Sequence, residues 1–179
     1  MTDTGTISAG TISAGSDAFA SVDDLLADAR SRFVRVSVPE TVQALRDGAR
    51  LVDIRPAWQR AQEGEIPGSL IVERNHLEWR LHPASAARLP WASPGQRWIV
   101  LCSEGYTSSL AAAALVSLGV PATDLIGGLH AWREAGLAVT AGPSPIEQIV
   151  GEHAGQPTDQ PGDERLHAST SIQLLHVAS

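Results

Sequence analysis

Residues 97–119 read RWIVLCSEGYTSSLAAAALVSLG, and this stretch decides the fold class. An apolar run ends in Cys102, SEGYT turns, and an alanine- and leucine-rich segment of high helix propensity runs to a stop at Gly119. Strand, short loop and helix are the half-unit of a parallel sheet. The same alternation recurs outward in both directions. FVRVSV (33–38) is a short apolar run, and SVPETVQALRDG (37–48) is a well-signalled helix. Ser37 is its N-cap, Pro39 lies in the first turn, Glu40 closes a capping box and Gly48 stands past the end. RLVDI (50–54) reads as a strand, and Pro56 opens a helical stretch through Trp58 and Ala61. SLIV (69–72) and TDLIGG (123–128) read as strands and LHAWREAG (129–136) as a helix. Strands alternating with helices predict an α/β domain with a mostly parallel central sheet and helices on both faces.

The ends differ in composition. Residues 1–17 are small and polar, with TISAG written twice, and read as a disordered tail. Phe19, Val22, Leu25 and Leu26 fall at helical spacing, giving an amphipathic helix over 18–32. The globular domain is expected at 33–141. Residues 142–179 read as a largely flexible C-terminal extension, with a short helical stretch at Ile146–Val150 and a few apolar residues between Ile172 and Val177.

Composition excludes several chemistries. All thirteen basic residues are arginine, so no lysine Schiff base or Walker lysine is available. A net charge of −7 with scattered arginines argues against a nucleic-acid partner. One cysteine permits no disulfide and no all-cysteine zinc site, and the six histidines fall in no metal-ligand motif. No apolar run is long enough for a membrane span, and the N-terminus has no apolar leader, so a cytoplasmic location is expected.

Cys102 stands at the carboxyl end of a strand, where parallel sheets gather ligands, and its loop opens a helix whose free N–H groups favour negative charge. A thiol so placed is expected to ionise readily. Gly105 lets the loop turn tightly enough to aim successive amides inward, and Thr107 and Ser108 can cap the helix or reach an anion.

CSEGYT resembles the active-site loop of rhodaneses, sulfurtransferases whose cysteine opens a six-residue loop around its own sulfur. Three further segments agree in order. LVDIRP (51–56) is similar to the family's Asp-x-Arg strand end, EGEIPGS (63–69) to its Gly-His-Ile-Pro-Gly-Ala element, and GGLHAW (127–132) to its Gly-Gly-x-x-x-Trp segment. The resemblance covers about 33–141.

It implies transfer of a sulfane sulfur through a Cys102 persulfide. The donor would be thiosulfate, a thiol persulfide or mercaptopyruvate, the acceptor a thiol or cyanide-like nucleophile, with no cofactor or metal. Ser103, Glu104, Gly105, Tyr106 and Thr107 would cradle the anion, with Asp53 and Arg55 paired around the loop as structural supports. Tyr106 and Trp79 would line the mouth. Two departures stand out. Glu65 replaces the usual histidine, with only a local structural effect expected. Glu104 brings a carboxylate into the loop and opposes a dianion such as thiosulfate. Arg60 and Arg74, expected at the same rim, would offset it. A phosphatase on this fold needs an arginine where Ser108 and Ser109 stand. The alternative to an enzyme is a non-catalytic rhodanese-like regulatory or protein-interaction module.

Overall fold

The computed structural model describes residues 18–152. The repeated TISAG segment and the apolar residues 172–177 lie outside them. Four strands form one parallel sheet, β1 (Arg50–Asp53), β2 (Leu70–Ile71), β3 (Trp98–Leu101) and β4 (Ala122–Asp124), in the order β2-β1-β3-β4. Register pairs Asp53 with both Ile71 and Leu101, so the carboxyl ends of β2, β1 and β3 are level. The order reverses between β1 and β3, which opens a crevice outside their carboxyl ends. The apolar run FVRVSV contributes an isolated parallel bridge, Val36 to Leu125.

Both faces of the sheet are covered, which is why β2 (LI) and β3 (WIVL) are apolar without a polar alternate. On one face Val52, Leu70, Trp98 and Val100 pack with Leu77 and Leu81 of α4 (Leu77–Leu81) and with Ala111, Ala112 and Leu115 of α5 (Thr107–Ser117). On the other, Leu51, Ile99 and Leu101 meet Val42 and Leu45 of α2 (Val38–Arg46) and Leu129 and Trp132 of α6 (Gly128–Glu134). The alternation Leu51/Val52 and Ile99/Val100 is the two-residue period of a strand dividing its side chains between two cores. α2 begins as expected, with the Glu40 carboxylate accepting from both the N–H and the hydroxyl of Ser37. The amphipathic helix is α1 (Val22–Ser31), which packs on α5 with Leu26 and Ala29 buried. α3 (Ala57–Glu63) follows Pro56, and α4 has no counterpart in the sequence reading.

The packed chain does not stop at 141. Residues 140–150 run back along the sheet as a strap without helix, bridging Thr140 to Glu65 and Ile149 to Leu70 in antiparallel sense, and Val150 is buried. Glu65 fastens the strap. Its carboxylate, wholly buried, accepts from the Ser144 N–H at 3.0 Å and the Ser144 hydroxyl at 2.7 Å, and pairs with the Arg60 guanidinium. Gly142 lies so close that a Cβ there would stand 2.9 Å from Glu65 Cδ. The residue expected to have only a local effect therefore anchors a segment about 80 residues away in sequence. Glu65→Ala leaves the buried Arg60 charge unpaired and should lower stability by roughly 3–5 kcal/mol, read as a shift in the urea unfolding midpoint. A midpoint within error of wild type would show that water replaces the carboxylate without cost.

Candidate active site

Cys102 sits one residue past β3, in the crevice beside β1, with 8% of its surface exposed. The loop Ser103–Tyr106 curls so that the Gly105 N–H donates to Cys102 Sγ at 3.2 Å. Gly105 holds φ +83°, and a Cβ there would meet an Arg35 nitrogen at 2.9 Å and the Gly127 nitrogen at 3.0 Å, so the turn accepts only glycine. Ser108 Oγ, at the start of α5, lies 3.3 Å from Sγ on the other side. Thr107 is exposed and caps nothing; Ser108 is the hydroxyl that reaches the sulfur.

Behind the loop stands Asp124, fully buried at the end of β4. Arg35 grips it through Nε at 2.7 Å and a terminal nitrogen at 2.9 Å. Ser108 and Ser109 both lie within 3.0 Å of its Oδ2. In the thiol form the donors run in line: Sγ–H to Ser108 Oγ, and Ser108 O–H to Asp124. Two guanidinium groups, Arg30 at 2.9 Å and Arg35 at 3.0 Å, also bond the Gly105 carbonyl. Because the peptide is planar and trans, the Tyr106 N–H on the same unit points away from both arginines. Arg30 also donates to Ser109 and lies over the Tyr106 ring, 5.6 Å from its centroid.

A second support holds the loop's first turn. Arg55, 1% exposed, bonds Asp53 through two nitrogens, Glu63 at 2.8 Å and the Gly64 carbonyl at 2.9 Å. Glu63 in turn accepts from the Ser103 hydroxyl at 2.7 Å. Burial raises the Glu63 carboxyl's pKa, but the Ser103 hydroxyl and the Arg55 guanidinium outweigh it and leave the group below the usual carboxylate range. On the α6 side the Leu129 and His130 N–H groups donate to the Cys102 and Ser103 carbonyls. This approach requires Gly128, since a Cβ there would overlap the Cys102 carbonyl.

Of the two arginines expected to face the donor, Arg60 does not. Arg60 is 1% exposed, turned inward onto Glu65, the Ser144 carbonyl and the Arg55 carbonyl. It holds the strap and the β1–α3 turn, so it offers the rim no charge. Arg74 pairs with Glu78 one turn away at 2.7 Å. Asp53 and Arg55 do pair, as expected. Glu104 and Tyr106 are exposed, and Trp79 is 61% exposed on α4. Arg30, Arg35, Glu63, Ser109 and Asp124 were not legible as site residues. Only Asp124 carries a signal, a carboxylate at a strand end like Asp53. Among the described residues no group of histidine, cysteine and carboxylate side chains is placed to hold a metal, and no helix is long and apolar enough to cross a membrane.

No curated protein matches the chain. Solved structures do. A Rhodopseudomonas palustris protein of unknown function, described as a possible tyrosine phosphatase, is 28% identical, with a TM-score of 0.61 over 66% of this chain and 93% of its own. A rhodanese-related protein from Thermoplasma volcanium shares the fold at 20% identity, with a TM-score of 0.50 over 62% of this chain and all of its own. The rhodanese-like domain family matches residues 37–135, more than half the chain. With the single cysteine in that family's active-site loop, at the carboxyl edge of a parallel sheet, the chain belongs to the rhodanese-like domain family.

Proposed function

We propose that the protein is a sulfurtransferase that carries sulfur as a Cys102 persulfide. The observation that carries this reading is the sulfur's own environment: one N–H and one hydroxyl converge on Sγ, and among the described residues no arginine bonds it. A thiolate there attacks the outer sulfur of a donor such as thiosulfate. The donor S–S bond breaks, sulfite leaves with its electron pair, and Cys102 holds the persulfide. A nucleophilic acceptor then takes the outer sulfur and returns the pair to Sγ. The developing anion meets the Gly105 N–H already in place and the Ser108 hydroxyl, whose one proton turns from Asp124 to Sγ as the thiolate forms, leaving Asp124 to Arg35 and Ser109. Phosphoryl transfer is disfavoured because the clamping position holds Ser108, whose hydroxyl faces Sγ and Asp124. The cell's cytoplasm is the expected location, and thiosulfate the first donor to test.

Intact-protein mass spectrometry after incubation with thiosulfate should show a gain of one sulfur, removed by a thiol reductant and absent in Cys102→Ser. A protein that gains nothing yet alkylates quickly at Cys102 uses another donor. One that neither gains sulfur nor alkylates is the non-catalytic module. Removing one hydrogen bond worth about 1 kcal/mol should slow iodoacetamide alkylation of Ser108→Ala about fivefold at pH 7. An unchanged rate would remove Ser108 from the sulfur's support. Glu104→Ala removes a like charge worth about 1 kcal/mol at the loop, so thiosulfate loading should quicken several-fold, more at low salt than at high. Loading as slow as wild type at both salt concentrations would clear Glu104 of any part in donor choice.

A further inference from the structure

The supports described above leave one ionisable group at the loop without a structural task. His130 donates its backbone N–H to the Ser103 carbonyl at 3.0 Å, which places it beside the turn that carries Cys102. Its side chain is 45% exposed, with Nδ1 3.8 Å from Glu104 Oε1. The charges facing it are Glu104 from the loop and Glu63 from the end of α3, the latter fixed by Arg55 and Ser103. On its own helix, Arg133 is bound to the Glu63 carbonyl. Arg60 and Arg74 are each paired with a carboxylate, and Arg30 and Arg35 are bonded behind the loop, so the charged groups on this side are Glu104, Glu63 and, bound to the Glu63 carbonyl, Arg133.

We infer that His130, beside Glu104, is the proton carrier of the acceptor step and that the acceptor is an uncharged or cationic thiol. This rests on the persulfide reading above and deepens it. A thiol is a poor nucleophile at neutral pH because little of it is ionised, about 3% for a pKa near 8.5. An anionic acceptor such as sulfite needs little help with ionisation but is repelled by the exposed Glu104. A neutral or amine-bearing thiol meets the opposite conditions, with a base beside it and favourable charge. The imidazole takes the S–H proton as the thiol sulfur bonds to the outer sulfur of Cys102–S–S⁻. The persulfide S–S bond breaks and its electron pair returns to Sγ, where the Gly105 N–H and the Ser108 hydroxyl receive it. The imidazolium then gives the proton to the transferred sulfur. One thiol and one enzyme persulfide become one enzyme thiolate and one small-molecule persulfide, with no outside oxidant or reductant. Glu104, unhelpful for a dianionic donor, thus has a positive part in the second half-reaction.

The half-reactions separate in the test. Wild type and His130→Gln are each charged with thiosulfate or inorganic polysulfide, freed of donor, and mixed with 2-mercaptoethanol, cysteamine or 3-mercaptopropionate while loss of the added sulfur is followed by mass. General acid–base help is worth about 10²–10⁴-fold, and with partial replacement by solvent the variant should discharge at least tenfold more slowly at pH 7. The gap should close as pH rises past the acceptor thiol's own pKa, because thiolate is then supplied by bulk solution. A structural fault at position 130 would not be cured this way. Cysteamine and 2-mercaptoethanol should discharge wild type faster than 3-mercaptopropionate. Equal discharge at pH 7, a gap that persists at pH 10, a preference for the anionic thiol, or a variant that cannot be charged when wild type can would each overturn the inference. Failure of wild type to take up sulfur from either donor would instead sink the persulfide reading.

Discussion

A carboxylate that loses all contact with water must be repaid by partners, and Asp124 shows how much structure that demand organises. It is buried at the end of β4 and takes two bonds from Arg35 and contacts from two serine hydroxyls. An unpaired charge there would cost several kcal/mol. Satisfying it places Ser108 against the cysteine sulfur and Arg35 against the Gly105 carbonyl, and Arg30 reaches the same carbonyl and Ser109 from α1. The orientation of the loop thus follows from neutralising one strand-end carboxylate. Asp53 does the same on β1: Arg55 satisfies it, extends to Glu63, and Glu63 holds Ser103. The loop hangs between two buried ion networks, one at each end of its turn.

Using arginines as supports has a consequence for charge. A guanidinium carries five donors in a fixed fork, so one residue can neutralise a carboxylate and still bond a carbonyl. Arg35, Arg55 and Arg60 each do both. The guanidinium positions are thereby fixed in the frame, and the exposed part of the loop is left with Glu104. The sulfur of Cys102 is met by dipoles, an N–H and a hydroxyl, and among the described residues no guanidinium bonds it.

Much of this was legible in the sequence because it is local. The α2 capping box, the strand ends Asp53 and Cys102, Gly105 and the alanine-rich α5 are each specified within a few residues. What was not legible is tertiary. Arg60 reads like any helix-surface arginine, and only the return of the strap, bringing Ser144 and Glu65 together, turns it inward. The strap itself has the Pro- and Gly-rich composition of a tail, yet its backbone pairs with the edge strand at Leu70 and with Glu65 ahead of that strand. Backbone pairing with an open edge needs no side-chain pattern, so periodicity gives no warning of it.

The residues that define the family and those that hold the site are not the same set. The family match begins at residue 37, but Arg30 and Arg35, which fix the Gly105 carbonyl and Asp124, lie before it. It ends at 135, but Ser144, which satisfies Glu65 beside Arg60, lies beyond. α1 packs on α5, the helix whose first turn contains Ser108 and Ser109. Any movement of α1 must therefore either carry Arg30 away from the Gly105 carbonyl and the Tyr106 ring or carry the loop with it. The unit that fixes the sulfur's surroundings runs from α1 to the end of the strap, and the shared domain is its middle.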